Sequence, residues 1–112
     1  MSTSNNQTLH AEISIVPVGT GSTSISKQVA AAFDAIRKTK DIKTIKPTAM
    51  GTQIEANNMG AILSAIEAAH QAVKSTGAKR IVSTIRIAER LDASRTLEDD
   101  VESVNEKLSK EW

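Results

Sequence analysis

Two hydrophobic periods alternate along this chain, and their order limits the folds that it can adopt. Stretches of about 24–40 and 59–76 place apolar residues every three or four positions, which is typical of amphipathic helices. Around them, four segments are typical of half-buried β-strands: residues 9–16, 43–48, 52–56 and 79–88. The predicted order of elements is therefore β-α-β-β-α-β.

This order is the split β-α-β pattern of the ferredoxin-like fold, an α+β sandwich. Two helices would cover one face of a four-stranded antiparallel sheet, with the first strand between the third and the fourth. Thr96 and Asp99 have capping-box spacing and predict an extra C-terminal helix. We expect one domain over residues 9–110, preceded by a polar, disordered leader over residues 1–8. The extra helix carries an apolar stripe of Leu97, Val101, Val104 and Leu108.

Polar residues and prolines mark where the elements begin and end. Ser24 or Ser26 can cap the first helix, and Asn57-Asn58 begins the second. Pro47 places the second strand at an edge of the sheet, because proline has no N–H to donate to a central ladder.

Composition excludes several functional classes. The 112 residues include 14 basic and 13 acidic side chains, so the chain lacks the basic excess of a general nucleic-acid binder. Its aromatic residues are Phe33 and Trp112, which leaves the predicted sheet without the rings that RNA-binding domains of this topology stack on bases. With no cysteine and two histidines, we expect no metal site and no resident cofactor.

The first eight residues lack the apolar core of a secretory signal. No apolar run approaches the length of a membrane span. We therefore expect a cytoplasmic protein that has no membrane partner.

A glycine-rich turn joins the first strand to the first helix. Gly19 and Gly21 allow left-handed backbone angles, and the helix start presents unpaired N–H groups. Such a turn can hold an anion or a polar ring, or it can be an ordinary tight turn. It matches neither a phosphate-binding loop, because Lys27 follows Ser26, nor a dinucleotide fingerprint, because Ser24 stands at the third glycine position.

The face of the sheet opposite the isoleucines is predicted to be polar. We expect Glu12 to lie between Glu55 and Arg86 on this face. This face is either solvated, with one cross-strand ion pair, or packed on a second subunit. The apolar stripe of the last helix favours packing on a second subunit. The two glutamates could serve acid–base chemistry, although Arg86 favours a structural ion pair. The predicted polar side chains are His10, Glu12, Ser14, Gln53, Glu55, Thr84 and Arg86.

Several blocks of the sequence, in order, resemble the small thiamine-binding-protein family. Together they extend over about residues 9–108, which is far more specific than any single block. The blocks are AEISIVPVGT (11–20), SIS (24–26), MGTQIE (50–55), AAHQAV (68–73), GAKRI (77–81) and RTLED (95–99).

The resemblance implies a homo-oligomer, commonly a tetramer of paired dimers, that binds thiamine or its hydroxymethylpyrimidine part without turnover. Hydroxyls and a carboxylate match the donors and acceptors of an aminopyrimidine, apolar side chains would contact the ring faces, and a carboxylate would balance the thiazolium charge. The alternatives are a structural or regulatory oligomer with a different small molecule, and an enzyme that uses the glutamates. The expected ligand-binding residues are Thr20, Ser24, Thr52 and Glu55 for hydrogen bonds, Ile25 and Met50 for ring contact, and Glu12 or Glu55 for the charge.

Overall fold

A computed structural model describes residues 8–92 and 96–111 and confirms the α+β ferredoxin-like fold with an added C-terminal helix. Residues 1–7 of the predicted leader lie outside the described residues, whereas Thr8 is buried at the start of the fold. The elements in chain order are β1 (Leu9–Pro17), α1 (Ser26–Arg37), β2 (Ile42–Thr48), β3 (Gly51–Ala56), α2 (Met59–Lys74), β4 (Ile81–Glu89) and α3 (Leu97–Glu111).

The sheet has the strand order β2-β3-β1-β4, and all neighbouring strands are antiparallel. β1 is thus central between β3 and β4, as predicted. β2 forms one edge, which confirms the position inferred from Pro47. The second edge is β4.

One face of the sheet carries the core. Alternation along β1 turns Ile13 toward the helices, where it packs with Ile54 of β3 and Ile62 of α2. The last two side chains are fully buried. Because this core is aliphatic and closely packed, removing even a few methyl groups from it is costly.

The structure confirms the predicted cap of α2 but not that of α1. The side chain of Asn58 caps α2 by accepting a hydrogen bond from the N–H of Ala61 at 2.8 Å. The predicted serine cap of α1 is wrong: Ile25 occupies the N-cap position, and no side chain caps the helix there. Ser26 already lies in the first helical turn, and its Oγ is 3.3 Å from the Oγ of Ser24.

α1 also ends at Arg37, before the predicted end near Lys40. The chain then turns through Asp41, whose φ of 68° lies in the left-handed region, directly before β2. Lys38 and Lys40 therefore belong to the turn into β2, whereas Lys43 and Lys46 lie on that strand.

α3 begins with the predicted capping box. The N–H of Asp99 donates to Thr96 Oγ1 at 2.9 Å, and the N–H of Thr96 donates to Asp99 Oδ2 at 3.0 Å. The first turn contacts the uncovered face of the sheet, where the N–H of Leu97 donates to Glu55 Oε2 at 3.1 Å. The rest of the apolar stripe is about half exposed: Val101, Val104 and Leu108.

Candidate functional site

A pocket of about 230 Å³ opens between β1, the start of α1 and the β2–β3 turn. We call it the apolar pocket. None of the described side chains that line it is acidic, basic or an imidazole, so its interior is neutral. The lining residues are Ile13, Ser14, Ile15, Val16, Ile25, Val29, Ala32, Ile36, Thr48, Ala49, Met50, Gly51 and Thr52.

A close backbone approach shapes this pocket. A Cβ atom on Gly51 would lie 2.8 Å from the backbone oxygen of Ile13, so only glycine allows the β2–β3 turn to lie this close to β1. Met50 precedes it at the tip of the turn and is 79% exposed, so its thioether side chain forms an adaptable outer wall.

One hydroxyl of the apolar pocket is available to a ligand. Thr48 Oγ1 already donates to the backbone oxygen of Gly51 at 2.8 Å. The side chain of Thr52, which lies opposite Ile13 on the covered face, has no hydrogen-bond partner within residues 8–92 and 96–111. The pocket therefore offers apolar ring contact with one free hydroxyl at its wall.

The structure gathers three of the predicted ligand-binding residues in this pocket, namely Ile25, Met50 and Thr52. Glu12 and Glu55 lie on the opposite face of the sheet. The described chain therefore does not bring all seven predicted residues together. Sequence reasoning missed Gly51 as a shaping residue. Ser14 borders the pocket but pairs with Thr84 on the open face, as alternation predicted.

The glycine turn largely satisfies its own polar groups. Gly19 and Gly21 have φ values of 77° and 78°, as expected for left-handed turn positions. Thr20 Oγ1 donates to the backbone oxygen of Ser22 at 3.1 Å, and Ser22 Oγ accepts from the N–H of Ser24 at 3.1 Å. These bonds favour the tight-turn interpretation over an anion site.

Thr20 also lines a separate pocket of about 270 Å³ between the glycine turn and the α2–β4 connection. Lys79 contributes its one cationic side chain among the described lining residues. The pocket also borders Thr76 and Gly77, just after the C-terminus of α2, whose partial negative charge opposes binding of an anion.

On the open face, the pairing of Glu12 differs from the expectation. Its neighbour on β4 is Arg86, as predicted, but its neighbour on β3 is Gln53 and not Glu55. Gln53 Nε2 donates to Glu12 Oε2 at 3.3 Å. In this register Glu55 lies two pairs further along the β1–β3 ladder, opposite His10.

Glu55 takes part in the attachment of α3. Its side chain is only 6% exposed, and its Oε2 accepts the Leu97 N–H while lying 3.8 Å from His10 Nε2. His10 Nδ1 lies 3.4 Å from Asp100 Oδ2 on α3. This carboxylate is therefore engaged within the chain.

Beside this cluster is an open-face pocket of about 230 Å³. It contains one carboxylate and one guanidinium from adjacent strands and a wall from α3. Its lining residues are His10, Ala11, Glu12, Gln53, Arg86, Ile87, Ala88 and Leu97.

Two further findings concern the part of the chain that the structure describes. No group of three or more histidine, cysteine or acidic residues there is arranged to hold a metal ion. None of its helices has the length and apolar character that crossing a membrane requires.

Comparison with known proteins places this geometry in context. The sequence profile of a family described as thiamine-binding proteins matches residues 11–105. A UPF0045 protein of Methanothermobacter thermautotrophicus is 44% identical over 98 residues, which cover 88% of this chain and 97% of that one. A UPF0045 protein of Bacillus subtilis is 35% identical over 100 residues, which cover 88% and 95% of the two chains.

Solved structures show the same fold. The crystal structure of a hypothetical protein of Methanocaldococcus jannaschii matches with a TM-score of 0.78 and 36% identity, covering 89% of this chain and 98% of that one. A Thermotoga maritima protein, assigned by its name alone to thiamine biosynthesis or salvage, matches with a TM-score of 0.70. Its identity is 18%, with 87% and 98% of the chains covered, so this likeness concerns the fold.

Proposed function

We propose, from the premise that this chain belongs to the thiamine-binding protein family, that it binds thiamine or its hydroxymethylpyrimidine moiety as a non-catalytic homo-oligomer. The observation that carries this proposal is the apolar pocket, which places Ile25, Met50 and Thr52 around one space. These residues supply ring contacts and a hydroxyl, which an aminopyrimidine requires.

The volume of the pocket favours one ring over two. Pockets for drug-sized ligands usually enclose at least about 300 Å³, whereas this pocket encloses about 230 Å³. The pyrimidine would enter between Ile25 and Met50 and hydrogen-bond to Thr52. The thiazolium would remain at the solvent-exposed mouth, because burying a cation without a nearby carboxylate is unfavourable.

The same lining supports binding without chemistry. General acid–base catalysis needs a titratable group within hydrogen-bond distance of the reacting atom, and the described lining of the apolar pocket offers hydroxyls alone. The two glutamates that could have served this purpose lie across the sheet, and Glu55 is engaged with Leu97.

The oligomer is supported by α3. Val101, Val104 and Leu108 form one stripe on this helix, yet each remains 49–57% exposed. Burial of such a stripe on another subunit would remove apolar surface from water. The family resemblance suggests a tetramer of paired dimers, and we propose that it is cytoplasmic.

Calorimetric titration with thiamine and with hydroxymethylpyrimidine tests the proposal. We expect saturable binding of both, and Thr52→Val should weaken it because the variant keeps the side-chain shape but removes the hydroxyl. Thr44→Val makes the same change on β2, outside the residues that line the apolar pocket, and should bind like the unmodified chain. Loss of binding in both variants, or in neither, contradicts the proposed site.

A structural or regulatory oligomer that binds a different small molecule is the second candidate. The contact between Glu55 and α3 favours this second candidate, because a residue that we expected to bind the ligand instead attaches α3 to the sheet. A stable oligomer that gives no heat and no thermal stabilisation with millimolar thiamine or hydroxymethylpyrimidine would establish this alternative over the first.

A further inference from the structure

The chain that forms the apolar pocket lacks acidic side chains. Residues 13–33 and 42–54 supply all of the lining except Ile36, and neither stretch contains an aspartate or a glutamate. Both stretches contain lysine. The carboxylates that flank them on β1 and β3, Glu12 and Glu55, lie on the opposite face of the sheet. A cation bound in this pocket would therefore have no carboxylate from its walls, whereas an anion would meet no repulsion from them.

The first turn of α1 adds unpaired donors at one side of the pocket. Ile25 is both the N-cap residue of α1 and a lining residue. The N–H of Val29 donates to the backbone oxygen of Ile25 at 3.0 Å and is the first of the helix to do so. The three N–H groups before it have no acceptor in the described part of the chain, and no side chain caps the helix. Such donors, together with the positive end of the helix dipole, favour a negatively charged group.

One lysine strengthens the positive potential of this turn. Lys27 is the second residue of α1, its side chain is exposed, and it forms no ion pair within residues 8–92 and 96–111. No acidic residue occupies the first turn. The glycine turn before the helix satisfies much of its own hydrogen bonding, so the free donors belong to α1 and not to that turn.

A buried hydroxyl inside the pocket points to a ligand independently of the helix. Thr52 is only 7% exposed and lines the apolar pocket, and its side chain has no hydrogen-bond partner in the described residues. Leaving a buried hydroxyl without a partner is unfavourable, so an occupant with a polar ring atom would be stabilised there. The pocket thus combines a hydroxyl on β3, which suits a polar ring, with donors on α1, which suit an anion.

We propose that the apolar pocket selects a small aromatic ring that carries a phosphate monoester, which within the proposed function is the monophosphate of hydroxymethylpyrimidine. The inference rests on the proposed function and narrows its ligand class. The ring contacts the apolar walls and Thr52, and the phosphate lies at the first turn of α1 beside Lys27. A phosphate monoester carries a charge of about −1.5 to −2 at pH 7 and three acceptor oxygens, which match an ammonium and several N–H donors.

Thiamine presents the opposite charge to the same turn. Its thiazolium would lie at the mouth of the pocket, where the helix dipole and Lys27 are unfavourable to a cation. We therefore expect the order of affinity to be the monophosphate first, hydroxymethylpyrimidine second and thiamine third.

Calorimetric titration of the full chain with hydroxymethylpyrimidine and with its monophosphate tests the charge preference, because the two ligands differ in the phosphate alone. We expect the ester to bind about tenfold more tightly at low salt. Added sodium chloride should reduce the ratio of the two affinities, since the first turn of α1 is exposed and its charges are screened. Equal affinities, or tighter binding of the unphosphorylated ligand, overturn the proposal.

A charge reversal locates the phosphate. Lys27→Glu should lower the affinity ratio about tenfold, and it should fold, because a carboxylate in the first turn suits the helix dipole. The matched control is Lys40→Glu, which makes the same change beyond the other end of α1, about 18 Å away along a helix of 12 residues. The control should keep the ratio of the unmodified chain. Equal reductions in both variants would reflect net charge, and a reduction in neither would leave α1 without a role; both outcomes overturn the proposal.

Thr52→Val separates the ring from the phosphate. Because its hydroxyl contacts the ring, its loss should weaken both ligands by the same factor and leave their ratio unchanged. A ratio that falls in Thr52→Val as far as in Lys27→Glu would place the phosphate inside the pocket and contradict the assignment to α1.

Titration with inorganic phosphate separates an ester site from a general anion site. Phosphate alone should bind far more weakly than the ester, because it makes none of the apolar contacts. Equal binding of phosphate and ester would mean that the ring contributes nothing, which also overturns the proposal.

Benzyl phosphate and benzyl alcohol distinguish failure of this inference from failure of the proposed function, because they keep the ring and the ester without the pyrimidine. If thiamine and hydroxymethylpyrimidine bind but the monophosphate binds no better, the proposed function stands and this inference fails. If neither binds, yet benzyl phosphate binds more tightly than benzyl alcohol and loses that advantage in Lys27→Glu, the selection of a phosphate monoester holds and the ligand of the proposed function is wrong.

Discussion

The two faces of the sheet are built from the same strands but use different physical interactions. On the covered face, Ile54 has no exposed surface and belongs to the core to which α1 and α2 contribute. On the open face, its neighbour Gln53 hydrogen-bonds to Glu12, and Glu55 holds the first turn of α3. Apolar burial is non-directional and supplies stability, whereas hydrogen bonds are directional and here determine where an added helix lies. The comparison separates residues that keep the chain folded from residues that position its outer parts.

This division also bears on the ligand. The apolar pocket lies where the covered face ends, so a ligand bound there would replace water beside apolar residues of the core. The open-face pocket lies among charged groups, including Glu12 and Arg86. A neutral pyrimidine suits the first environment, because it gains apolar contact without leaving a charge unpaired.

Substitution at adjacent positions of β3 gives the largest expected contrast between the faces. Ile54→Ala removes a fully buried side chain from the core and should lower the free energy of unfolding by about 2–5 kcal/mol. Gln53→Ala, one residue earlier on the open face, should cost about 1 kcal/mol or less. Urea denaturation of both variants measures the difference. Similar losses would show that the open face contributes to stability as much as the core does.

The attachment of α3 provides the next contrast. Glu55→Ala leaves the Leu97 N–H without its acceptor and should cost about 1–3 kcal/mol if that donor stays buried. We expect hydrogen exchange to accelerate across α3 while α2 remains protected. Glu55→Gln keeps an acceptor oxygen and should have a smaller effect.

The same pair of variants distinguishes architecture from ligand binding. If Glu55 serves α3, thiamine affinity measured by calorimetry should change little in Glu55→Gln. A marked loss of affinity without faster exchange in α3 would instead assign this carboxylate to the ligand.

Two helix caps allow a finer comparison. Thr96→Ala removes the hydroxyl that accepts the Asp99 N–H, and Asn58→Ala removes the oxygen that accepts the Ala61 N–H. Each should cost about 0.5–2 kcal/mol of helix stability. Because α2 packs in the core, the second change should lower the global midpoint of unfolding, which circular dichroism measures. The first should mainly increase fraying of α3, seen by hydrogen exchange; an equal shift of the global midpoint would show that α3 unfolds together with the sheet.

Sequence periodicity predicted the order of the elements because alternation and helical spacing are local properties. It could not predict the cross-strand register: the pattern shows that Glu12 and Glu55 share a face, but the pairing of Glu12 with Gln53 depends on how β1 and β3, which are far apart in sequence, align in the folded chain. The prediction of a serine cap for α1 was wrong for a similar reason. Either serine is chemically suited to cap, and the path of the glycine turn decided the outcome.

The candidate site was predictable in its residue types but not in its arrangement. Ile25, Met50 and Thr52 meet because the chain returns to β1 at Gly51, where a side chain would strike the backbone of Ile13. That contact joins residues far apart in sequence, so no local pattern reveals it. For the same reason, the separation of the two glutamates from this pocket became clear only in the folded chain.

The smallest expected effect lies on the solvent side of α1, far from both faces of the sheet. Asp34 receives hydrogen bonds from Lys38, at 2.8 Å, and from Arg37, and these hold the pKa of its carboxyl below the ordinary value. A carboxyl whose pKa is lower in the folded than in the unfolded chain stabilises the fold at pH values above the unfolded pKa. This stabilisation is lost as the pH falls through the folded pKa. Asp34→Asn should therefore be slightly less stable than the unmodified chain at neutral pH, and the two should converge below about pH 4.

Thermal unfolding across this pH range measures the convergence of the two proteins, and added salt should reduce their difference at neutral pH because the pair is exposed. Asp92→Asn is the matched control, since Arg90 lowers the pKa of that carboxyl through a similar exposed pair that lies outside any helix. If the unfolding temperatures of Asp34→Asn and the unmodified chain differ by an amount that does not change with pH, the substitution acts through helix propensity and not through charge. In that case, packing on the covered face and polar contacts on the open face would account for the measurable stability without help from the exposed pair.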